Sequence, residues 1–542
     1  MGGISKILCM TPPPVKGHLG QRPEEENQSR IQEQTKRVLC EISYMRGNIS
    51  YMRGNHKHVN KRKPGQGVLV NTAWITSTEK IHLLRPFDEV PLATVSAATS
   101  AHVDTAVTAA LAAFPAWEAL GPVGRKPYFT KLARLLRENV DEIALIEALN
   151  LGRGRQITQW EVESAASTFE YYAEAALNIK GESTISEQGK LCLEIKQPFG
   201  VVGAILPWNV PTSMFAWKAG SALAAGNTVV LKSSEKAPLT CLKIATLVKE
   251  AGFPPGVINV LSGLGPVAGA RIAEHPDIRK VSFTGSTATG KHLMKVAADS
   301  NMKKLQLELG GKSPCIIFKD ANLAEAAVRC AESITFLGGQ ACVASSRVLV
   351  EESAAEEFLG YFRDALTAKE MQVLTDPTAD KENGLTPLVD EIQFKKVMAY
   401  IEEGKKQSPT PVVGGHRIGD KGYFVAPVLF KDLPQDSILI KQEIFGPVVC
   451  VNTFKTEEEA LALANDCEYG LYASVFTQNI GRLVRCAKAL ESGMVGMNIT
   501  SPDIATGMAF GGWKSSGSGR DGWMHGLLSM VEIKTVSLNY AS

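Results

Sequence analysis

From Val68 onward, apolar residues recur along the chain in two alternating rhythms. Short runs of aliphatic and β-branched residues, "NTVVLKSS", "GVINVLSG", "KVSFTGST" and "SPCIIF", predict strands. Between them lie longer stretches with helical spacing. "DTAVTAALAAFPAW" predicts an amphipathic helix opened by an Asp104 cap, and "LTCLKIATLVKEAG" a helix stopped by Gly252. "TGKHLMKVAADS" predicts a third, whereas "LEIKQPFGVVGAILPWN" predicts extended chain ending at a Pro-Trp-Asn turn. Strands alternating with helices imply an α/β fold with a parallel sheet. Sheets of that kind collect ligands outside the carboxyl ends of their strands.

Residues 1–67 break this rhythm. They are polar and poor in aromatics, contain the tandem heptapeptide "ISYMRGNISYMRGN", and end near the basic run "HKHVNKRK". We read them as a disordered extension without an assigned function. "EEE" at 24–26 speaks against a transit peptide, and no h-region supports secretion.

Composition narrows the function class. The 542 residues are 44% hydrophobic, enough for several packed domains. A net charge of +2 supplies no global field to recruit nucleic acid or an anionic membrane. No apolar run reaches the ~18 residues a membrane span needs. The 10 cysteines are scattered without CxxC pairs or zinc spacing, so no metal site is expected and a reducing, cytoplasmic compartment fits. Cys241, Cys315, Cys330 and Cys486 sit in apolar stretches and read as small core residues.

Candidate chemistry falls at the strand ends. Two glycine-bearing loops, "SGLGPVAG" (Gly263, Gly265, Gly269) and "FTGSTATG" (Gly285, Gly290), allow backbone N–H groups to approach a phosphate. Either loop alone is as well explained by turn geometry. "VLKSSEK" brings Lys232 and Glu235 to another strand end. Lys232 suits a ribose or phosphate oxygen. Glu235 suits a ribose diol and would repel a 2′-phosphate, which favours NAD over NADP; a surface salt pair is the plain alternative. "KKLQLELGGKSPCIIF" places Glu308 between leucines, where desolvation would raise its pKa toward that of a general base. A Glu facing outward with Gln306 is the other possibility. "GGQACVASSR" sets Cys342 in a turn of small residues that leaves a thiol reachable.

Taken in order, "PWN" (207–209), "FTGST", "LELGGKSPCIIF", "GGQACVASSR", "EIFGPV" (443–448) and "FGGWKSSGSGR" (510–520) resemble the aldehyde dehydrogenase superfamily, in its hydrolytic, free-acid-producing class. The resemblance runs from about Val68 to the C-terminus. It implies Cys342 as nucleophile, Glu308 as general base and Asn209 as the side-chain amide that helps hold the oxyanion. It further implies cofactor contacts at Lys232, Glu235, the loop Gly285, Ser286, Thr287, Ala288, Thr289, Gly290, and at Gln393, Glu443 and Phe445. Met214, Trp217, Phe336 and Phe510 would line a tunnel for an apolar aldehyde, although they serve equally as core. A glutamate at position 308 points to hydrolysis of a thioester, since members that pass the acyl group to coenzyme A typically lack it.

The implied fold has three parts. A Rossmann-like NAD-binding domain would take 68–180 and 200–309, and an α/β catalytic domain 310–511. A β oligomerisation element would combine 181–199 with 512–542. Its terminal strand, "MVEIKTVSLNY", alternates and invites pairing with another subunit, so a homodimer or homotetramer is expected. The implied activity is NAD-dependent oxidation of a small-molecule aldehyde. A papain-like hydrolase lacks a matching histidine motif here. The remaining alternative is a catalytically silent NAD-binding or structural homologue.

Overall fold

Val202, Ala204, Val229 and Leu231 pack on one side of a sheet against the helices Gly121–Glu138, Arg155–Ala175, Pro211–Ala224 and Leu239–Ala251. Their neighbours Val201, Ile205 and Val230 pack on the other side with Val103, Ala106 and Val107 of the helix Ser100–Ala119. Burial on both faces explains why these strands read as near-continuous apolar runs. The structure is a computed structural model that describes residues 68–378, 384–408, 411–503 and 506–540. The N-terminal extension and its repeat lie outside the described residues.

The sheet has eight strands in the order Ala73–Ile75, Val68–Val70, Ile258–Ser262, Thr228–Ser233, Val201–Ile205, Ile278–Thr284, Lys304–Glu308 and Gly517–Ser518. The strands from Ile258–Ser262 to Lys304–Glu308 run parallel. Gly517–Ser518 closes one edge antiparallel, with Gly517 opposite Glu308. A second sheet, of six parallel strands, follows the order Val428–Lys431, Val448–Phe454, Arg347–Glu351, Pro314–Ile317, Tyr472–Phe476 and Met494–Met497. The chain passes from the carboxyl end of the first sheet at Glu308 to the amino end of the second at Pro314. Those two ends therefore face each other. A third sheet pairs Lys190–Pro198 with Ser183–Glu187 on one side and with Val531–Asn539 on the other.

One local expectation is corrected. The helix around Asp104 begins earlier, at Ser100, and Thr99 precedes its first turn in extended conformation, with its N–H donating to His102 Nδ1 at 3.1 Å. Asp104 lies inside the helix and pairs with Arg271 at 2.6 Å. The partner is distant in sequence, so the short-range signal for a cap misled. Gly252 does end the helix Leu239–Ala251, with φ of 89°. Cys241, Cys315, Cys330 and Cys486 are buried. No single helix among the described residues is long and apolar enough to cross a membrane.

The central strand Val201–Ile205 tolerates no side chain at Gly203, where a Cβ would lie 2.5 Å from Ile272 Cγ2. Gly203→Val should therefore lower unfolding free energy by about 1–3 kcal/mol through overpacking. An unchanged denaturation midpoint would contradict this packing.

Candidate active site

Four glycine-bearing segments converge where the two sheets meet, and each glycine is there because something presses against it. A Cβ at Gly310 would lie 2.4 Å from Glu443 Oε2, and one at Gly311 would lie 2.1 Å from the Cys342 carbonyl oxygen. A Cβ at Gly511 would lie 2.7 Å from Glu308 Oε1. At Gly339, φ is 75° and a Cβ would lie 2.2 Å from the Gly446 carbonyl carbon. "LELGG", "GGQAC", "EIFGP" and "FGG", far apart in sequence, thus interlock into one site.

Glu308 ends its strand at 2% exposure. Neither carboxylate oxygen has a hydrogen-bond partner. The Asp521 N–H, which favours the charged carboxylate from nearby, is spent on the Phe510 carbonyl at 2.8 Å. Burial pushes the Glu308 carboxyl well above the usual range, and the Asp521 charge adds to it; Lys218 and Arg520 oppose them. Gln306 is buried as well, so the outward-facing alternative does not hold.

Lys218 and Asp521 form a buried ion pair at 2.9 Å beside Glu308. Lys218 Nζ also donates to Ser282 Oγ at 2.9 Å, and Gln306 Nε2 donates to Asp521. Neither charged residue is among those expected from the sequence. The available signal was faint: a single lysine inside the otherwise apolar and small "MFAWKAGSALA".

Cys342 follows a tight left-handed stretch at Leu337, Gly338 and Gly339. It is half-buried. Burial, with the Glu443 and Glu308 charges, pushes its thiol up to about 12, so without ligand it is protonated at neutral pH. Asn209 Nδ2 donates to the Gln340 carbonyl at 3.0 Å, which ties the amide to the segment carrying Cys342. An amide nitrogen has two hydrogens, and the second remains available for a substrate oxygen.

The cofactor candidates line the carboxyl ends of the first sheet. Lys232 is buried and pairs at 3.0 Å with Glu235, whose side chain is 34% exposed, so the carboxylate marks the open end of the pair. Burial works against the Glu235 charge, yet Lys232 and nearby backbone N–H groups outweigh it and hold the carboxyl below its usual range. Gly265 leaves the space over this pair open; its Cβ would lie 4.0 Å from Glu235 Oε1. Ser286 caps the helix Thr287–Asp299 by accepting from the Thr289 N–H at 3.3 Å. Ser286, Ala288 and Thr289 are exposed at that helix start, and Gly290 is buried, where a Cβ would lie 2.6 Å from Leu309 Cδ2. Thr287 Oγ1 accepts from the Gly310 N–H at 3.3 Å and so links this loop to the Glu308 turn. A buried lysine, a partly exposed carboxylate, glycine turns and a helix N-terminus at neighbouring strand ends fit a dinucleotide.

Glu443 Oε1 accepts from the Gly311 N–H at 2.9 Å, and burial raises its carboxyl to about 7. Phe445 packs edge-on against Trp208 with ring centres 5.3 Å apart. Gln393 spends its amide on the Phe445 and Ile444 carbonyls at 2.8 and 3.3 Å, which holds the loop that presents Glu443 and Phe445. Trp217, Phe336 and Phe510 pack in one apolar cluster with Cys342, and Trp217 meets Phe510 edge-on at 5.3 Å. Met214 belongs to the neighbouring cluster under the first sheet. A cavity of about 260 Å³ opens beside Phe336, which is the one candidate tunnel residue in its wall.

Comparison with known proteins places the chain in a family. The aldehyde dehydrogenase family profile matches residues 74–536. An aldehyde dehydrogenase of Davidiella tassiana is 41% identical over 89% of this chain and 97% of its own length. Cytosolic aldehyde dehydrogenase 1 of Mus musculus is 39% identical over 87% of this chain and 94% of its own. The solved structure of a mutant indole-3-acetaldehyde dehydrogenase from P. syringae, in complex with NAD+ and IAA, superposes with a TM-score of 0.84 at 37% identity, covering 88% of this chain and 97% of that one. On this evidence the chain belongs to the aldehyde dehydrogenase family.

Proposed function

We propose that the chain oxidises an aldehyde to a free carboxylic acid with NAD, through a covalent bond to Cys342. The observation that carries this reading is the convergence of a half-buried thiol, an oriented amide and a buried carboxylate without hydrogen-bond partners. The Cys342 thiol loses its proton to solvent water as the sulfur attacks the carbonyl carbon. The oxygen gains charge, and the free N–H of Asn209, with the Cys342 backbone N–H, stabilises it; one such donor is typically worth ~3–4 kcal/mol. The bound dinucleotide supplies an acceptor for the hydride that leaves this carbon. The thioester left on Cys342 is then hydrolysed by a water from which Glu308 takes a proton, and the acid departs as the thiol is restored.

The raised pKa of Glu308 suits it to that step. The Lys218–Asp521 pair sits where it tunes the carboxyl in both directions: the ammonium favours the anion, and the carboxylate opposes it. Lys232, Glu235 and the Ser286 helix start would hold the dinucleotide, with Glu443 and Phe445 at its reactive end. The charge of Glu235 favours a free ribose diol, hence NAD over NADP. A cytoplasmic location suits the free thiols at Cys192, Cys342 and Cys467. The sheet edge at Val531–Asn539 exposes Ile533 and Leu538, which supports a homodimer or homotetramer. The apolar cluster of Trp217, Phe336 and Phe510 around Cys342, with Met214 in the adjoining core, favours an apolar aldehyde.

Cys342→Ala should abolish aldehyde-dependent NADH formation while NAD still binds; retained turnover would remove the nucleophile. Glu308→Gln should give a burst of NADH followed by a slow steady rate, and an unaltered steady rate would sink the base assignment. Asp521→Asn removes a charge that raises the Glu308 pKa, so the acid limb of the kcat profile should move to lower pH. A limb displaced upward would show that Asp521 acts otherwise. Glu235→Gln should raise the ratio of NADP to NAD in kcat/KM, and a constant ratio would dissociate Glu235 from cofactor choice.

A further inference from the structure

Arg153 lies in the turn between the helices Val140–Leu151 and Arg155–Ala175, and its side chain is only 2% exposed. Its guanidinium reaches three groups. Nη2 donates to the Asn209 carbonyl oxygen, and Nη1 donates to Glu161 Oε1 at 2.9 Å. Nη1 also lies 3.6 Å from Glu147 Oε1. The other oxygen of Glu147 accepts from Thr212 Oγ1. Asn209 and Thr212 flank the start of the helix Pro211–Ala224, which has no side-chain cap of its own. The clamp therefore grips the chain on both sides of that helix start, from outside the helix.

What this grip holds is the amide of Asn209. That amide donates to the Gln340 carbonyl at 3.0 Å. Gln340 is itself anchored: Nε2 donates to Leu337 at 2.8 Å, and Oε1 accepts from the Val389 N–H at 2.9 Å. With Cys342 two residues further on, Arg153 holds the backbone of Asn209 while the Gln340 carbonyl holds its side-chain amide.

The charges of the clamp balance. Glu147 and Glu161 are both fully buried with one guanidinium between them. Burial and the Glu147 charge push the Glu161 carboxyl well above the usual carboxylate range, with Arg153 opposing. Glu147 Oε1 and Glu161 Oε2 each lack a partner when both groups are ionised. A proton on the raised Glu161 carboxyl leaves the group neutral, which a dry interior favours.

We propose that Arg153, held by Glu147 and Glu161, is a positioning residue that aims the Asn209 amide at the oxygen of the reacting carbonyl. The inference rests on the function proposed above. A guanidinium suits the task because its planar fork bonds a carbonyl and a carboxylate at once in fixed directions; a lysine ammonium is a point charge on a flexible stem.

The test is a double-mutant cycle on the full chain, read as single-turnover NADH formation and as NAD affinity by titration. Arg153→Lys, which keeps the buried charge, should slow single-turnover NADH formation about tenfold, within the loss that removing an oxyanion donor can cause. NAD affinity should stay within about twofold. In an Asn209→Ala background the same change should cost less than about twofold, because the group it aims is gone. Thr212→Val, a near-isosteric change that cuts only the Glu147 tether, should show the same dependence at smaller amplitude. Equal losses in both backgrounds, or an Arg153→Lys rate equal to wild type, would overturn the inference while leaving the enzyme's function intact. A wild-type chain that forms no NADH with any aldehyde would remove both.

Discussion

The structure turns on the desolvation of one carboxyl. Glu308 sits at the buried end of its strand, with no hydrogen bond to either oxygen. In such surroundings a carboxylate is costly, and in the Lys218–Asp521 pair alongside, the Asp521 charge adds to that cost while Lys218 offsets it. A carboxyl left without partners retains its basicity, whereas one fully bonded by backbone N–H groups would be stabilised as an anion and lose it. Burial likewise raises the Cys342 thiol, so the thiol and the Glu308 carboxyl both hold their protons more tightly than in water.

Geometry makes this desolvation possible. The carboxyl end of one parallel sheet abuts the amino end of another, and the chain crosses between them at Gly310 and Gly311. Glycine is required there because the Glu443 carboxylate and the Cys342 carbonyl occupy the space a side chain would need. The C-terminal segment then adds Gly517–Ser518 to the sheet edge and brings Asp521 to Lys218. Residues from the two sheets and from the C-terminus therefore depend on one another for the site.

Much of this was legible in the sequence, and the reason is local. Strands buried on both faces announce themselves as aliphatic runs, and the helix stop at Gly252 is visible because it depends on one residue's φ. Glu308 and Cys342 could be singled out because leucines and small residues flank them in sequence. What sequence left hidden is long-range pairing. Asp104 looked like a helix cap but answers to Arg271, and Lys218 gains its meaning only from Asp521. Arg153 is similar: its partners Glu161 and Asn209 come together only in the folded chain. Nothing in the sequence signalled that the Gln393 amide holds the backbone of the Phe445 loop.

The central claim is that a carbonyl carbon becomes bonded to the sulfur of Cys342. Mass analysis of acid-quenched Glu308→Gln protein, taken during turnover of an aldehyde with NAD, addresses it directly. The account predicts one acyl group per chain, on the peptide that carries Cys342. An acyl group on any other residue, or unmodified protein while NADH accumulates, would contradict it.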